Sequence, residues 1–132
     1  MLKSEIEEFA RLLMLHVRDE AVQNSDAVLQ PNATHAIARR WRAAVPDSDA
    51  VKVVIPDIVD KTVFYLLWAV DEGLLPLKFT SAEGVDVDLQ VAGRGELAGW
   101  YMATGGFRAM YSEERFFDDL AHRADPDAID EQ

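Results

Sequence analysis

The chain has 132 residues and no cysteine, and its formal net charge at pH 7 is −11. This length suits one domain that buries roughly two thirds of its unfolded surface, and the lack of cysteine excludes disulfides, thiolate nucleophiles and thiolate zinc sites. A field of this sign disfavours nucleic acid and anionic membranes as partners and favours cations or basic proteins.

The negative charge is concentrated in the second half of the chain. The first 66 residues carry 8 Lys/Arg and 10 Asp/Glu, whereas the last 66 carry 5 and 14. Residues 1–8 contain three acids where a signal peptide would have an apolar run. No stretch approaches the ~18 uninterrupted apolar residues of a membrane helix. We therefore expect no membrane association and a cytoplasmic location.

Two helices are predicted before the centre of the chain. The first begins near residue 5, because Ser4 and Glu7 match a capping box, and it ends at the turn formers of residues 23–26. Its predicted buried stripe consists of Ile6, Phe9, Leu13, Val17 and Ala21. The second helix covers residues 33–44. Residues 50–55 fit either a short strand or a connector, and we favour an irregular or 3₁₀ connector because a proline follows.

The central helix is predicted over residues 55–73. Pro56 suits its first turn, and Gly73 suits the left-handed position just after its last turn. Its predicted core stripe consists of Val59, Val63, Leu66, Leu67, Val70 and Leu74. The opposite side carries Tyr65 and Trp68, so we expect this helix to be covered on both sides.

A β-hairpin is predicted after the central helix. Residues 75–80 and 85–89 alternate apolar and polar side chains, and a short loop that ends in Gly84 joins them. A lone hairpin is only marginally stable in water. We therefore expect the apolar face of this hairpin to pack on the helices.

Two further helices and a tail complete the prediction. A short helix over residues 96–103 carries a small-residue face that would let another helix approach, formed by Gly95, Gly99 and Ala103. Ser112 is predicted to cap a last helix. The buried side of that helix would consist of Phe116, Phe117, Leu120 and Ala121. Residues 125–132 form an acidic tail that we expect to be frayed.

The fold class that follows is α+β. We predict a single, mostly helical globular domain over residues 1–124, with about five helices and one antiparallel β-hairpin packed on the helical core.

The residue types that carry catalysis show no specific motif. His16, His35 and His122 include no His-Glu-x-x-His pair, so we predict no metal site, no cofactor and no catalytic residues. Neighbouring acids are predicted to form solvated helix faces, namely Asp57 and Asp60, Asp71 and Glu72, and Asp118 and Asp119. The single basic cluster, residues 39–42, is predicted to pair with the acidic half of the chain.

The acidic residues of the second half are the best indication of function. We expect one partner-binding surface on the hairpin and the last helix, formed by Glu83, Asp86, Asp88, Glu113, Glu114 and Asp118. Trp100, Tyr101 and Tyr111 would supply aromatic anchors, because such residues dominate binding energy at interfaces.

Three functional hypotheses remain at this point. The first is a non-enzymatic interaction domain that binds a basic protein, such as an immunity protein, an antitoxin or a protein that mimics nucleic acid. The second is a small-molecule-binding or metal-dependent enzyme with a pocket near Trp100–Tyr111. The third is a structural subunit that oligomerises through the small-residue face or an exposed aromatic patch. The sequence does not determine the oligomeric state.

Overall fold

The N-terminal helix contains one irregular turn. The computed structural model describes residues 3–120. The chain runs from α1 (Ser4–Leu13) through a π-helical segment (Met14–Arg18) into α2 (Asp19–Val28) without interruption. The predicted start is confirmed, but the predicted capping box is wrong, because Lys3 is the residue before the helix and no side chain caps it. The helix also continues through residues 23–26.

The π-helical segment decides which side chains of this helix are buried. The fully buried residues along it include a row spaced four apart, namely Ile6, Ala10, Met14, Arg18 and Val22. In a regular α-helix such a row drifts by about 40° per step and would turn away from the core. The wider π turn offsets this drift. Arg18 therefore lies inside, and Val17, a predicted core residue, is 49% exposed.

The central helix begins earlier than the sequence predicts. After α3 (Ala36–Ala44), helix α4 runs over Ser48–Asp71. The Asp47 carboxylate caps it by accepting hydrogen bonds from the amides of Asp49 and Ala50 at 3.0 and 3.4 Å. Residues 50–55 are therefore helical, and the predicted connector is wrong.

Pro56 lies inside α4, where a proline removes the hydrogen bond to the carbonyl four residues earlier. That carbonyl belongs to Lys52, and it accepts a hydrogen bond from Arg115 Nη2 at 2.9 Å instead. The same guanidinium forms two hydrogen bonds with the carboxylate of Asp26, at 2.7 and 3.0 Å. Arg115 thus joins α2, α4 and the C-terminal segment, and it satisfies the backbone group that the proline leaves free.

In the C-terminal part of α4, the predicted burial is observed mainly on the side that faces the core. Gly73 has φ +74°, as predicted for the position after the helix. Val63, Leu67 and Val70 are buried, but Leu66 and Leu74, also predicted for the core stripe, are exposed. The prediction that both sides of this helix are covered is wrong. Tyr65 and Trp68, on the side opposite the core, are 54% and 42% exposed.

The predicted hairpin is confirmed. Strands β1 (Lys78–Thr80) and β2 (Asp86–Asp88) pair antiparallel, with Phe79 opposite Val87. Both of these side chains pack against the core. The Phe79 ring contacts the ring of Phe9 edge-on, with 5.6 Å between centroids. The hairpin therefore leans on α1, as its marginal stability in isolation requires.

Three short helices follow the hairpin: α5 (Leu89–Ala92), α6 (Leu97–Met102) and α7 (Phe107–Tyr111). Asp71, predicted to be solvated, instead caps α6 by accepting hydrogen bonds from the amides of Leu97 and Ala98 at 3.0 and 2.9 Å. The predicted last helix is wrong, because residues 112–118 are irregular. Phe117 and Leu120, predicted to be buried, are exposed, and Ala121 lies outside the described residues.

The described residues form one α+β domain around a single core. Counted with its π-helical segment, the N-terminal helix is one of six helices within residues 3–120, and the hairpin is the sheet. Helix α4 packs most extensively against α6 and α2. None of the helices in this part of the chain is long and apolar enough to cross a membrane. The predicted boundary at residue 124 and the tail of residues 125–132 lie outside the described residues.

Candidate functional site

A cluster of buried charges lies where α4 meets the π-helical segment, α6 and α7. We call it the Asp60 cluster; its members are Arg18, Asp19, Asp60, Tyr101 and Arg108, and each is at most 3% exposed. Asp60 Oδ1 accepts from Arg18 Nε at 2.9 Å and from the Tyr101 hydroxyl at 2.7 Å. Asp60 Oδ2 accepts from Arg18 Nη2 at 3.3 Å and from Arg108 Nη1 at 2.8 Å. The carboxylate therefore uses all of its roughly four acceptor positions.

Arg18 also uses its full hydrogen-bonding capacity. Besides Asp60, it donates to Asp19 and the Ser112 hydroxyl through Nη1, both at 3.2 Å, and to the Arg115 carbonyl through Nη2 at 2.6 Å. These contacts engage all five N–H groups of the guanidinium. Burial opposes the charge of Arg18, but the hydrogen bond and charge of Asp60 outweigh it, so the pKa of Arg18 is raised. This side chain stays charged and holds four parts of the fold together.

Ser112 has a role different from the predicted helix cap. Its hydroxyl donates to Asp19 Oδ1 at 2.7 Å, and the other oxygen of Asp19 accepts from the amide of Glu113 at 2.7 Å. The same hydroxyl accepts from the amide of Glu114 at 3.1 Å. These bonds attach the irregular segment after α7 to the start of α2, which explains why it does not continue as a helix.

The Asp60 cluster is electrically balanced, with two arginines and two aspartates. Burial and the negative charge of Asp60 raise the pKa of Tyr101 far above its usual range, so its hydroxyl remains a donor. A buried network of this kind costs desolvation energy and is tolerated because its members are hydrogen-bonded. Asp60 has no free acceptor position for proton abstraction. The cluster is therefore a structural element that also forms one wall of a cavity.

That cavity has a volume of about 290 Å³ and lies between α4 and the segment around α7. Its apolar lining consists of Phe64, Tyr65, Met102 and Phe117. Its charged lining consists of Asp57, Asp60, Lys61, Arg108 and Asp119. Two of its lining residues, Met102 and Arg108, belong to the segment near which a pocket was predicted, Trp100–Tyr111. A separate groove of about 170 Å³ lies wholly within that segment and is lined by Trp100, Phe107 and Met110 among others.

Arg108 lines this cavity and does not use all of its five N–H groups. Its Nη1 binds Asp60 and the Phe117 carbonyl, and its Nη2 binds the Met102 carbonyl at 3.4 Å. Within residues 3–120, the Nε of Arg108 is the one buried side-chain nitrogen or oxygen without a hydrogen-bond partner. The guanidinium also lies over the Phe116 ring, 4.8 Å from its centroid.

A second feature is a partly exposed apolar face around the first half of α4. We call it the apolar face; it consists of Val17, Ala21, Trp41, Val51, Val54, Ile58 and Val59. Two grooves of about 220 Å³ each lie on it, and both are lined by Ile58 and Val59, so they are contiguous. Ile58 is 61% exposed and Val54 is 50% exposed. Exposed apolar patches that are contiguous mark interaction sites more often than scattered apolar residues do.

The predicted acidic surface is divided in the structure. Glu83, Asp86 and Asp88 are exposed on the hairpin, beside the first turns of α1, where Glu8 accepts a hydrogen bond from Ala82. Glu113 and Glu114 lie beside Asp19, about ten residues further along the same helix, which corresponds to roughly 15 Å.

Several of these acids also serve local structure. Asp86 accepts a hydrogen bond from the Thr80 hydroxyl at 2.6 Å, and Asp88 caps α5 by accepting from the amide of Val91. Asp118 accepts from the Thr104 hydroxyl at 3.2 Å. Their side chains are therefore partly committed to the fold.

The predicted aromatic anchors are not equally accessible. Tyr101 is fully buried in the Asp60 cluster, so it does not lie on a surface. Trp100 and Tyr111 are half-buried, and both rings lie close to the ring of Phe107, at centroid distances of 6.4 and 6.5 Å. The pKa of Tyr111 is raised by burial and by the charge of Glu7.

Neither the predicted absence of a metal site nor the predicted helix contact at the small-residue face gains support from a cluster of side chains among the described residues. His16 and His35 are exposed, His122 lies outside the described residues, and residues 3–120 contain no group of three or more metal-binding side chains. A Cβ placed on Gly99 would meet nothing within 4 Å among the described residues, whereas one placed on Gly95 would meet the backbone oxygen of Asp71 at 3.7 Å. In the basic cluster, Arg39 and Arg42 bind backbone carbonyls of residues 30–34.

The Asp60 cluster was missed by sequence analysis, which assigned Asp60 to a solvated face. Its cations lie far apart in the chain, at Arg18 and Arg108, and no local pattern connects them. The π-helical segment that turns Arg18 inward has no recognised sequence signature either. No protein-family model, curated protein or solved structure matches the chain. Function is therefore inferred from the features of the molecule themselves.

Proposed function

We propose that this protein is a non-enzymatic interaction domain that binds a basic partner protein through the apolar face. The observation that supports the proposal most directly is the continuity of the two grooves at Ile58 and Val59. A cytoplasmic location is part of the proposal, and a cysteine-free sequence is compatible with it.

The apolar face has the composition of an interface core. Valine and isoleucine supply seven of the eleven residues that line the grooves, and Ser25 and Thr62 are the two polar ones. The exposure of Val17, Val54 and Ile58 leaves an energetic gain for a partner that covers them. Burying one side chain of this size is worth about 1.5–3 kcal/mol. A partner that inserts an apolar side chain beside Ile58 would therefore gain affinity from both grooves.

The charge of the chain indicates what kind of partner fits. The whole chain has a net charge of −11, although the exposed chain neighbours of the apolar face include both acids, Glu20 and Asp57, and cations, Arg40, Arg42 and Lys52. A basic protein would be steered to this chain, whereas a second copy of the chain, nucleic acid or an anionic membrane would be repelled by its net charge. An immunity protein or antitoxin that neutralises a basic nuclease has this chemistry.

The experiment is affinity capture from the native host at low and at high salt, followed by calorimetry with the purified partner. Ile58→Ser is the test variant, and Val91→Ser is its matched control. Val91 is a still more exposed apolar residue, at 72%, and lies on α5 outside the apolar face. We expect one basic protein to be retained by the native chain and by the control. Its affinity for Ile58→Ser should fall about tenfold or more, and its binding should weaken at high salt.

Equal affinity for the native chain and Ile58→Ser would contradict the proposal, as would a retained partner that is acidic. The competing hypothesis of an oligomerising subunit makes a different prediction for analytical ultracentrifugation. It requires a dimer or larger species of the native chain alone, and Ile58→Ser or a bulky residue at Gly99 would dissociate that species.

A further inference from the structure

Helix α4 carries apolar residues on two opposite sides, and the fold covers only one of them. The covered side contains four buried apolar residues, Pro56, Val63, Leu67 and Val70. We call the opposite side the outer stripe; it consists of Val51, Val54, Ile58, Lys61, Tyr65 and Trp68. Its last two apolar residues are aromatic, and all of its apolar members except the half-buried Val51 are between 42% and 61% exposed. A helix that is apolar on both sides is usually buried between other elements.

The spacing of the outer stripe indicates what shape of partner would cover it. Its residues follow one another at alternating steps of three and four, which is the spacing of the a and d positions of a coiled coil. A stripe with this period stays in contact with a second helix along its whole length, because it repeats every 3.5 residues. From Val51 to Trp68 it extends about 26 Å, at a rise of 1.5 Å per residue. A partner helix of about five turns would match it.

Grooves lie on both sides of the outer stripe. On one side, the two grooves of the apolar face lie between α4 and residues of α2 and α3, such as Ala21 and Trp41. On the other side, the cavity of about 290 Å³ lies between α4 and Phe117. Ile58 borders the grooves of the apolar face, and Tyr65 borders the cavity. Helices pack by placing rows of side chains into the grooves beside a row of the other helix, so this ridge with a groove on each side suits a helix.

The charges along the outer stripe restrict which helix fits. Lys61 lies in its middle and belongs to none of the five ion pairs within residues 3–120. A charged residue in such a seam fixes the register, because the partner helix must offer it a compatible side chain. Asp57 is exposed beside Ile58, and Glu72 is exposed one turn beyond Trp68. Basic side chains on the flanks of a partner helix would face these two acids, whereas a second copy of the chain would add another net charge of −11.

We infer that the partner docks one amphipathic α-helix along the outer stripe, with apolar residues at heptad spacing, an acidic residue opposite Lys61 and basic residues on its flanks. This inference rests on the proposed function, because the helix belongs to the basic partner of the apolar face. It extends the binding surface to two aromatic anchors, Tyr65 and Trp68, whose rings meet edge-on with 6.3 Å between centroids. Tyrosine and tryptophan are the residue types that most often dominate binding energy at interfaces.

The probe for the test is a synthetic three-heptad peptide with leucine at the a and d positions, one glutamate in place of the central leucine, and lysine at the flanking positions. The lysines repel one another between copies, so the peptide does not pair with itself. Binding of the dye-labelled peptide is followed by fluorescence anisotropy. We expect saturable binding to the native chain. A control peptide of the same composition, with its leucines at every second position, should bind at least about tenfold more weakly.

Adjacent residues of α4 supply matched controls, because successive residues of a helix point about 100° apart. Tyr65→Ser changes the outer stripe, and Leu66→Ser changes an exposed neighbour outside it. Val54→Ser and Val53→Ser form a second pair, at 50% and 57% exposure. We expect Tyr65→Ser to weaken peptide binding about tenfold and Val54→Ser several-fold, whereas the two controls should stay within about twofold of the native chain.

Lys61 is tested by charge reversal. Lys61→Glu should weaken binding of the peptide at least about fivefold, because two carboxylates would then face each other. A second peptide, with lysine in place of its central glutamate, should restore binding to this variant. Failure of that peptide to restore binding would contradict the register assigned to Lys61.

Four results would overturn the inference. The first is no saturable binding of the helical peptide to the native chain. The second is equal binding of the two leucine arrangements, and the third is equal loss for Tyr65→Ser and Leu66→Ser; either would show that no helical register is recognised. The fourth is a dimer of the native chain that Tyr65→Ser dissociates in analytical ultracentrifugation, because a second copy would then occupy the outer stripe.

The partner captured from the host separates this inference from the proposed function. Weaker partner binding by Ile58→Ser with unchanged binding by Tyr65→Ser would show that the partner covers the apolar face without following α4, and only this inference would fail. Unchanged partner binding by both variants would overturn the proposed function and this inference together. Weaker partner binding by both variants, with Leu66→Ser unchanged, is the expected result.

Discussion

Replacing Asp60 with asparagine tests whether the buried cluster holds the fold together. Asp60→Asn keeps the shape of the side chain and removes its charge. The cluster then contains two arginines and one aspartate, all at most 3% exposed. The amide also brings donors to a place where Arg18, Arg108 and Tyr101 already donate. We therefore expect a loss of charge balance and of at least one hydrogen bond at the same time.

The size of the effect follows from the burial of the pair. Removing one partner of a buried ion pair costs about 3–5 kcal/mol, out of a typical total stability of about 5–15 kcal/mol. With an unfolding entropy of about 2.1 cal/mol/K per residue, a chain of 132 residues loses ~3.6 °C of melting temperature per kcal/mol. The expected fall in Tm is therefore about 11–18 °C. In urea, an m-value of about 2 kcal/mol/M gives a midpoint shift of about 1.5–2.5 M.

The assay is urea and thermal unfolding followed by circular dichroism, and Asp57→Asn is the control. Asp57 lies three residues earlier on α4 and is exposed. The control should change the free energy of unfolding by less than ~0.5 kcal/mol. If Asp60→Asn destabilised the protein no more than Asp57→Asn does, the Asp60 cluster would contribute nothing net to stability and the reasoning would be refuted.

Three further predictions concern single contacts. A Cβ at Gly106 would collide with a backbone oxygen of α6, so Gly106→Ala should lower the free energy of unfolding in urea by roughly 1–3 kcal/mol or more. A Cβ at Gly99 would meet nothing within 4 Å, so Gly99→Ala should raise that free energy by up to about 1 kcal/mol. Arg115→Ala removes the donor that satisfies the Lys52 carbonyl and should lower the free energy of unfolding by about 1–3 kcal/mol in the same assay; no loss would mean that water replaces this donor. Burial and the adjacent carboxylate raise the pKa of Tyr101 in the folded state. The unfolded chain begins to lose this proton at a pH of about 10. The stability that Tyr101 contributes is therefore complete below that pH and is lost as the pH rises further. Unfolding measured across that range should show a steep alkaline decline that Tyr101→Phe reduces, and an unchanged decline would contradict the shift.

Most secondary-structure elements follow from local patterns. The period-2 runs and the loop before Gly84 predicted the hairpin, and Phe79 and Val87 are its inward residues as expected. Gly73 ended the central helix with the predicted positive φ. The main failures were at places where a distant residue changes the local preference. Residues 50–55 became helical because Asp47 caps them and because Arg115 satisfies the carbonyl that Pro56 leaves free.

The functional features were less accessible to sequence analysis. The acidic residues predicted as one surface are separated, and Tyr101, predicted as an anchor, is buried. The apolar face was not predicted, because valine and isoleucine at helical spacing look the same whether they meet the core or the solvent. Val17, on this face, was assigned to the core for that reason.

The sequence by itself determined the charge, the absence of cysteine, most of the helices, the hairpin and the α+β class. These properties depend on composition and on residues close together in the chain. Only the tertiary structure decided which polar residues are buried, because Arg18, Asp60 and Arg108 meet across separations of 42 and 48 residues. It also decided which helix faces stay uncovered, because that depends on where every other element packs.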